Sequence, residues 1–73
     1  MYKIFGKPNC TYCIKSKNLL DRKGIEYEYV DISTDAEAYD FIVNQNGFRT
    51  VPQIWGNLTY IGGYEALVES LKS

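Results

Sequence analysis

The chain has 73 residues, of which 45% are hydrophobic and 23% are charged, and its formal net charge is −1. This length predicts one domain over residues 1–73, and the slightly acidic balance argues against nucleic-acid binding. No apolar run approaches the roughly 20 residues that span a bilayer, and no apolar signal-peptide segment follows the start MYKIFGK, so we expect a cytoplasmic protein that does not contact a membrane.

The charges are distributed unevenly along the chain. Residues 1–23 carry six Lys or Arg and one acid, whereas residues 24–73 carry two Lys or Arg and eight acids. Both cysteines lie in the basic part. Nearby positive charges stabilise a negatively charged sulfur, so this distribution favours the thiolate form of both cysteines.

The first third of the chain predicts a strand, a helix and a second strand. Residues 2–5 are β-branched and aromatic and precede a glycine, which is typical of a short strand. A helix is predicted from about residue 11, with Asn9 as its N-cap and Gly24 just after its end. Its apolar stripe is supplied by Ile14, Leu19 and Leu20. Residues 25–32 then alternate in the manner of a strand.

The middle of the chain predicts a helix followed by a hairpin. Residues 33–35 are capping residues for a helix that runs to about Asn46. Its inward side chains are expected to be Tyr39, Ile42 and Val43. Strands are predicted at residues 50–55 and 58–61, joined by a two-residue turn at Gly56–Asn57.

The last element is a helix over residues 64–72, with Leu67, Val68 and Leu71 facing inward. The order is therefore β-α-β-α-β-β-α. A helical crossover joins parallel strands with right-handed geometry, whereas the hairpin adds an antiparallel pair. We therefore expect an α/β fold with a four-stranded mixed sheet and helices on both faces.

The only two cysteines, Cys10 and Cys13, allow three interpretations. A zinc site usually takes four Cys or His ligands, and this chain has no histidine, so only a site shared between chains or completed by an outside thiol stays open. A structural disulfide has little support, because closing so short a loop adds only about 2 kcal/mol to the stability of the fold. Reducing compartments also disfavour such a bond.

A redox pair fits the local chemistry best. Cys10 lies at the start of the predicted helix, where unsatisfied N–H groups and the helix dipole stabilise a thiolate. Cys13 lies three residues further on, on the same helix face. We therefore assign Cys10 as the nucleophile and Cys13 as the more buried, resolving thiol. Lys7 adds a positive charge near Cys10 or holds a substrate carboxylate.

Three motifs in this order, CTYC, TVPQIW and GGYE, resemble a small dithiol glutaredoxin of the bacterial or phage type, and the likeness extends over essentially the whole chain. The resemblance implies a thioredoxin fold. It also implies reduction of protein disulfides and glutathione mixed disulfides through Cys10 and Cys13. Glutathione would be the electron donor and co-substrate, with no bound cofactor or metal.

The resemblance also implies a glutathione site made of Lys7, Tyr12, Arg49, Thr50, Val51, Pro52, Gly63, Tyr64 and Glu65. A cis Val51–Pro52 bond would present the Val51 backbone to an extended peptide, as in strand addition. Tyr12 would flank the glutathione sulfur. Gly63 would allow a close approach, and the start of the last helix would receive the γ-glutamyl end.

The other end of glutathione is assigned to cations. Lys7 is similar to the family's basic residue for the glycine carboxylate, whereas Arg49 is either a second contact to that carboxylate or a solvated loop cation. The chain departs from the family pattern at two positions: Thr11 stands where proline is common, and Glu65 stands where aspartate is usual.

Two further functions stay open at this stage. One is a redoxin reduced by a flavoenzyme of the thioredoxin-reductase type, and the other is a dimeric module that binds an iron–sulfur cluster with Cys10 and glutathione. A non-catalytic protein-binding domain is the third alternative. The resemblance implies a monomer that acts on disulfide-containing proteins, with ribonucleotide reductase among the candidates.

Overall fold

The computed structural model describes residues 1–72, so Ser73, the last residue of the predicted domain, lies outside the described part of the chain. A four-stranded sheet is flanked by helices in the predicted order. The elements are β1 (Tyr2–Gly6), α1 (Thr11–Arg22), β2 (Tyr27–Asp31), α2 (Ala36–Tyr39, continued by a π-helical segment at Asp40–Gln45), β3 (Gln53–Gly56), β4 (Thr59–Gly62) and α3 (Tyr64–Ser70).

The sheet has the strand order β2-β1-β3-β4. β1 and β2 are parallel, with Tyr2 opposite Tyr27, as the helical crossover predicts. β1 and β3 are antiparallel, and so are β3 and β4. The predicted mixed sheet is therefore confirmed, with β1 as an inner strand.

Two apolar clusters cover the two faces of the sheet. Successive side chains of a strand point to opposite faces, so Ile4 and Phe5 of β1 enter different clusters. The cluster on the side of α1 and α3 contains the buried residues Ile4, Leu20, Ile54 and Leu67. The cluster on the side of α2 contains the buried residues Phe5, Ile32, Ala38 and Ile42. Helices thus cover both faces, as predicted.

The observed backbone differs from the predicted one at several boundaries. β2 is shorter than predicted, and α3 ends two residues early, at Ser70. The hairpin turn lies one residue later than Gly56–Asn57, because Gly56 pairs with Thr59 and leaves residues 57–58 as the turn. Asn57 adopts the left-handed backbone conformation with φ 59°, which asparagine tolerates.

Two side chains that we expected to face inward are exposed. Ile14 is 47% exposed because the buried stripe of α1 runs through Cys13, Ser16 and Leu20 instead. Tyr39 is exposed because it stands where α2 gives way to the π-helical segment, while Ala38 and Ile42 face the core. A stripe read from apolar residues alone missed the cysteine and the serine, which pack as small residues here.

We expect Leu67→Ala to destabilise the fold by about 2–5 kcal/mol, because Leu67 is fully buried in the cluster on the side of α1 and α3. Leu58→Ala is the matched control, since Leu58 is 98% exposed. Urea unfolding of both variants measures the difference. Equal losses of stability would contradict this description of the core.

Candidate active site

Three segments meet at one end of the sheet. The loop after β1 leads to Cys10, and Phe5 at the end of β1 lies opposite Gln53 at the start of β3. Gly62 at the end of β4 lies opposite Ile54 of β3. The antiparallel pairing therefore places the dithiol loop, the loop before β3 and the start of α3 side by side.

Cys10 is the N-cap residue of α1. Its backbone is extended, with φ −106° and ψ 111°, and its Sγ accepts a hydrogen bond from the Cys13 N–H at 3.2 Å. The sulfur thus occupies the place of the usual capping oxygen. The prediction of Asn9 as the N-cap is wrong, because Asn9 adopts a left-handed conformation with φ 59° and forms the bend before the cap.

The two sulfurs are joined in a disulfide, with the Cα atoms 5.2 Å apart. Cys13 is 0% exposed, whereas Cys10 is partly exposed. An external thiol or disulfide therefore reaches Cys10 and not Cys13. This difference supports the assignment of Cys10 as the attacking thiol and Cys13 as the resolving thiol.

The loop before β3 lies against the dithiol. The Val51–Pro52 peptide bond is cis, as expected from the resemblance. The carbonyl oxygen of Val51 lies 3.9 Å from the Sγ of Cys10. The backbone of this loop therefore lies next to the sulfur at which exchange occurs.

A groove of about 410 Å³ extends from this point toward α3. Seven of the nine predicted glutathione-site residues line it: Tyr12, Thr50, Val51, Pro52, Gly63, Tyr64 and Glu65. The other two, Lys7 and Arg49, lie in a second groove that shares Thr50 and Val51 with the first. Within residues 1–72, neither of these two cations forms an ion pair with a carboxylate.

Two aromatic rings border the first groove. Tyr12, which is 54% exposed, and Tyr64 have ring centroids 5.8 Å apart. The Nζ of Lys15 lies 5.1 Å from the centroid of the Tyr12 ring. Tyr12 projects from the first turn of α1 and Tyr64 from the start of α3, so the pair joins the two helices beside the dithiol.

The start of α3 offers less to an anion than the sequence suggested. α3 has seven residues, so few peptide dipoles are aligned along it. Gly63 is its N-cap residue and contributes no side-chain hydrogen bond. The groove, and not the helix dipole, is therefore the feature at this end that suits a ligand.

Sequence reasoning missed Gln53, Tyr60 and Ala66, which also line this groove. The Tyr60 hydroxyl donates to Gln53 Oε1 at 2.6 Å, and Gln53 Nε2 donates to the Thr50 carbonyl at 3.0 Å and to its hydroxyl oxygen at 3.3 Å. A tyrosine hydroxyl, with an ordinary pKa of about 10, is a donor at neutral pH, and burial raises the pKa of Tyr60 further. The signal that we overlooked was a glutamine at the start of an otherwise apolar strand.

Across residues 1–72, no three Cys, His, Asp or Glu side chains are grouped to hold a metal ion. In the same part of the chain, no helix has the length and apolar character needed to cross a bilayer.

The fold and the cysteine pair together define a class of protein. A Cys-x-x-Cys pair that closes into a disulfide at the start of a helix, on this mixed sheet, is typical of thiol–disulfide oxidoreductases with a thioredoxin fold.

Comparison with known proteins gives the family. The glutaredoxin family model matches residues 3–61. Glutaredoxin 1 of Rickettsia felis is 41% identical over 68 residues, which cover 90% of this chain and 67% of that protein. Glutaredoxin 3 of Escherichia coli is 34% identical over 65 residues, which cover 89% of this chain and 78% of that protein. The chain belongs to the glutaredoxin family and is a thiol–disulfide oxidoreductase.

A solved structure agrees with this assignment. The crystal structure of a buckwheat glutaredoxin–glutathione complex superposes with a TM-score of 0.82 at 26% identity, covering 94% of this chain and 66% of the buckwheat chain. The thioredoxin fold that we expected from the sequence is confirmed.

The two adjacent glycines at the end of β4 are expected to respond differently to substitution. Gly62 has φ 129°, and an added Cβ would lie 2.9 Å from the Cβ of Ala66, so Gly62→Ala should destabilise the fold by about 1–3 kcal/mol. An added Cβ on Gly63 meets only the Pro52 carbonyl oxygen at 3.6 Å, so Gly63→Ala should leave stability nearly unchanged. Chemical denaturation of both variants checks this, and a reversed order would contradict the described backbone.

Proposed function

We propose that this chain is a glutathione-dependent oxidoreductase that reduces protein disulfides and glutathione mixed disulfides. The observation that carries the proposal is the groove beside Cys10, which is lined by seven of the residues that the family resemblance assigns to glutathione. The buckwheat structure supports it, since that family member was solved as a complex with glutathione.

The reaction begins with the reduced enzyme. The Cys10 thiolate attacks the glutathione sulfur of a mixed disulfide, and the released thiolate takes up a proton. Glutathione then attacks the Cys10–glutathione disulfide, which releases oxidised glutathione and restores Cys10. This cycle needs the exposed sulfur only.

Protein disulfides require the second sulfur. Cys10 attacks one sulfur of the substrate disulfide and forms a mixed disulfide with the substrate protein. Cys13 then attacks the Cys10 sulfur, which releases the reduced substrate and leaves the Cys10–Cys13 disulfide. Two molecules of glutathione return the pair to the dithiol and leave as oxidised glutathione. A buried Cys13 three residues from Cys10 suits this intramolecular step.

Glutathione spans the two adjoining grooves in this proposal. The backbone of Val51 pairs with the peptide, and Tyr12 flanks its sulfur. Glu65 lies at the γ-glutamyl end, where its carboxylate pairs with the ammonium group of the ligand. Lys7 and Arg49 pair with the glycine carboxylate in the second groove. The observation that supports the ligand-binding alternative for Arg49 is its position in that groove, together with Lys7 and with the shared residues Thr50 and Val51.

We also propose a monomeric, cytoplasmic protein whose partners are glutathione and disulfide-containing proteins. A dithiol that must return to the reduced state needs a reducing compartment. Ribonucleotide reductase enters as a candidate substrate through the family resemblance alone.

A coupled turnover assay tests the donor. The protein is supplied with a glutathione mixed disulfide, reduced glutathione, glutathione reductase and NADPH, and NADPH consumption is followed. We expect turnover that requires glutathione. Turnover with a thioredoxin-reductase-type flavoenzyme and none with glutathione would refute the proposal and establish the redoxin alternative.

The two cysteine variants should separate the two reactions. We expect Cys10→Ser to abolish both, because no exposed thiol remains to attack. Cys13→Ser should keep reduction of glutathione mixed disulfides and lose reduction of protein disulfides, because only the second reaction needs a resolving thiol. Parallel assays with a glutathionylated peptide and a disulfide-containing protein measure this. The opposite pattern would reverse the assigned roles.

A further inference from the structure

Tyr29 connects β2 with the loop that carries Cys10. Its side chain packs against the cluster on the side of α1 and α3. Its hydroxyl donates a hydrogen bond to the backbone carbonyl of Lys7 at 2.9 Å. The Nζ of Lys17, on α1, lies 4.3 Å from the centroid of its ring. One phenol thus contacts the loop before the dithiol and the helix after it.

Two hydrogen bonds hold the start of this loop, one to β2 and one to the residue that follows β2. The bond from the Tyr29 hydroxyl is the first of them. The Ile32 N–H donates to the Gly6 carbonyl at 2.9 Å. The next carbonyl along the chain, that of Lys7, accepts from Tyr29. Only Pro8 and Asn9 then separate the held segment from Cys10, so the position of Lys7 limits where Cys10 can lie.

The same phenol lies close to the buried sulfur. A Cβ added to Gly6 would lie 2.8 Å from the Sγ of Cys13 and 2.9 Å from the Cζ of Tyr29. The missing side chain of Gly6 therefore leaves room for both the sulfur and the phenol. A tyrosine hydroxyl is a donor at neutral pH because its ordinary pKa is about 10, and burial, and secondarily the carboxylate of Asp31, raises the pKa of Tyr29 further.

We propose that Tyr29 is a positioning residue for disulfide formation: by holding the Lys7 carbonyl, it keeps Cys10 within reach of Cys13 while the two sulfurs are not bonded to each other. The step that it favours is attack of the Cys13 thiolate on the Cys10 sulfur of a mixed disulfide. The Cys10–Cys13 bond forms, and the partner thiolate leaves and takes up a proton. This inference rests on the dithiol chemistry of the proposed function and not on glutathione as the donor.

The physical reason is a difference in loop freedom between the two redox states. Without the hydroxyl, the dithiol form gains freedom in residues 7–9, which offsets part of the lost hydrogen bond. The disulfide form gains little, because its covalent bond still restrains Cys10. Loss of the bond therefore penalises the oxidised form more than the reduced form.

Tyr29→Phe tests this, with Tyr27→Phe as the matched control. Tyr27 lies two residues earlier on β2, packs against the same cluster, and donates its hydroxyl hydrogen bond to Asp21 near the far end of α1 at 3.4 Å. Each purified protein is equilibrated with reduced and oxidised dithiothreitol, which avoids any dependence on glutathione recognition. Tyr29→Phe should lower the equilibrium constant for disulfide formation three- to tenfold, about 14–30 mV for a two-electron couple. Tyr27→Phe should leave it unchanged.

Thermal unfolding of the oxidised and reduced forms gives a second readout. Tyr29→Phe should lower the unfolding temperature of the oxidised form more than that of the reduced form, whereas Tyr27→Phe should affect both forms alike. Equal losses in both forms of Tyr29→Phe, with an unchanged dithiothreitol equilibrium, would mean a purely structural role and would overturn the proposal. An equal shift of the equilibrium in both variants would overturn it as well. Neither result would bear on glutathione as the donor.

Discussion

The hydrogen bond from the Cys13 N–H to the Cys10 sulfur is the interaction on which the site depends. It makes a sulfur atom the cap of a twelve-residue helix, where unpaired N–H groups and the helix dipole favour negative charge. Burial of Cys13 in the core on the α1 side fixes the orientation of that helix. The same backbone geometry therefore leaves the outer sulfur accessible at a helix end that favours a thiolate, and it keeps the inner sulfur protected three residues away.

The sheet brings the rest of the site to this sulfur. Because β1 is an inner strand with β3 antiparallel beside it, the end of β1 and the start of β3 lie at one end of the sheet. The loop before β3 therefore reaches Cys10, and β4 returns the chain to the same end, where α3 begins. Gln53 then fixes the loop by donating to the Thr50 carbonyl and accepting from Tyr60. Residues from three distant parts of the sequence thus form one groove.

The sequence predicted the order of elements, the mixed sheet and the dithiol at a helix start, because hydrophobic periodicity and glycine positions are local signals. It predicted the wrong cap for α1, since asparagine is a common capping residue, whereas the left-handed bend at Asn9 makes Cys10 the cap. It also missed the exposure of Ile14, because a cysteine and a serine form part of the buried stripe. The roles of Gln53, Tyr60 and Tyr29 arise from contacts between strands and loops, which no local pattern encodes.

Titration of Cys10 in the reduced Cys13→Ser variant, followed by the ultraviolet absorbance of the thiolate, tests the central claim most directly. That variant keeps the residue-13 N–H that donates to the Cys10 sulfur and leaves a single thiol to observe. We predict a pKa for Cys10 within the range of about 3.5–7.5 found for thiols at helix N-termini or near cations. A Cys10 thiol that stays protonated until about pH 8.5, the value for a free cysteine, would contradict this account.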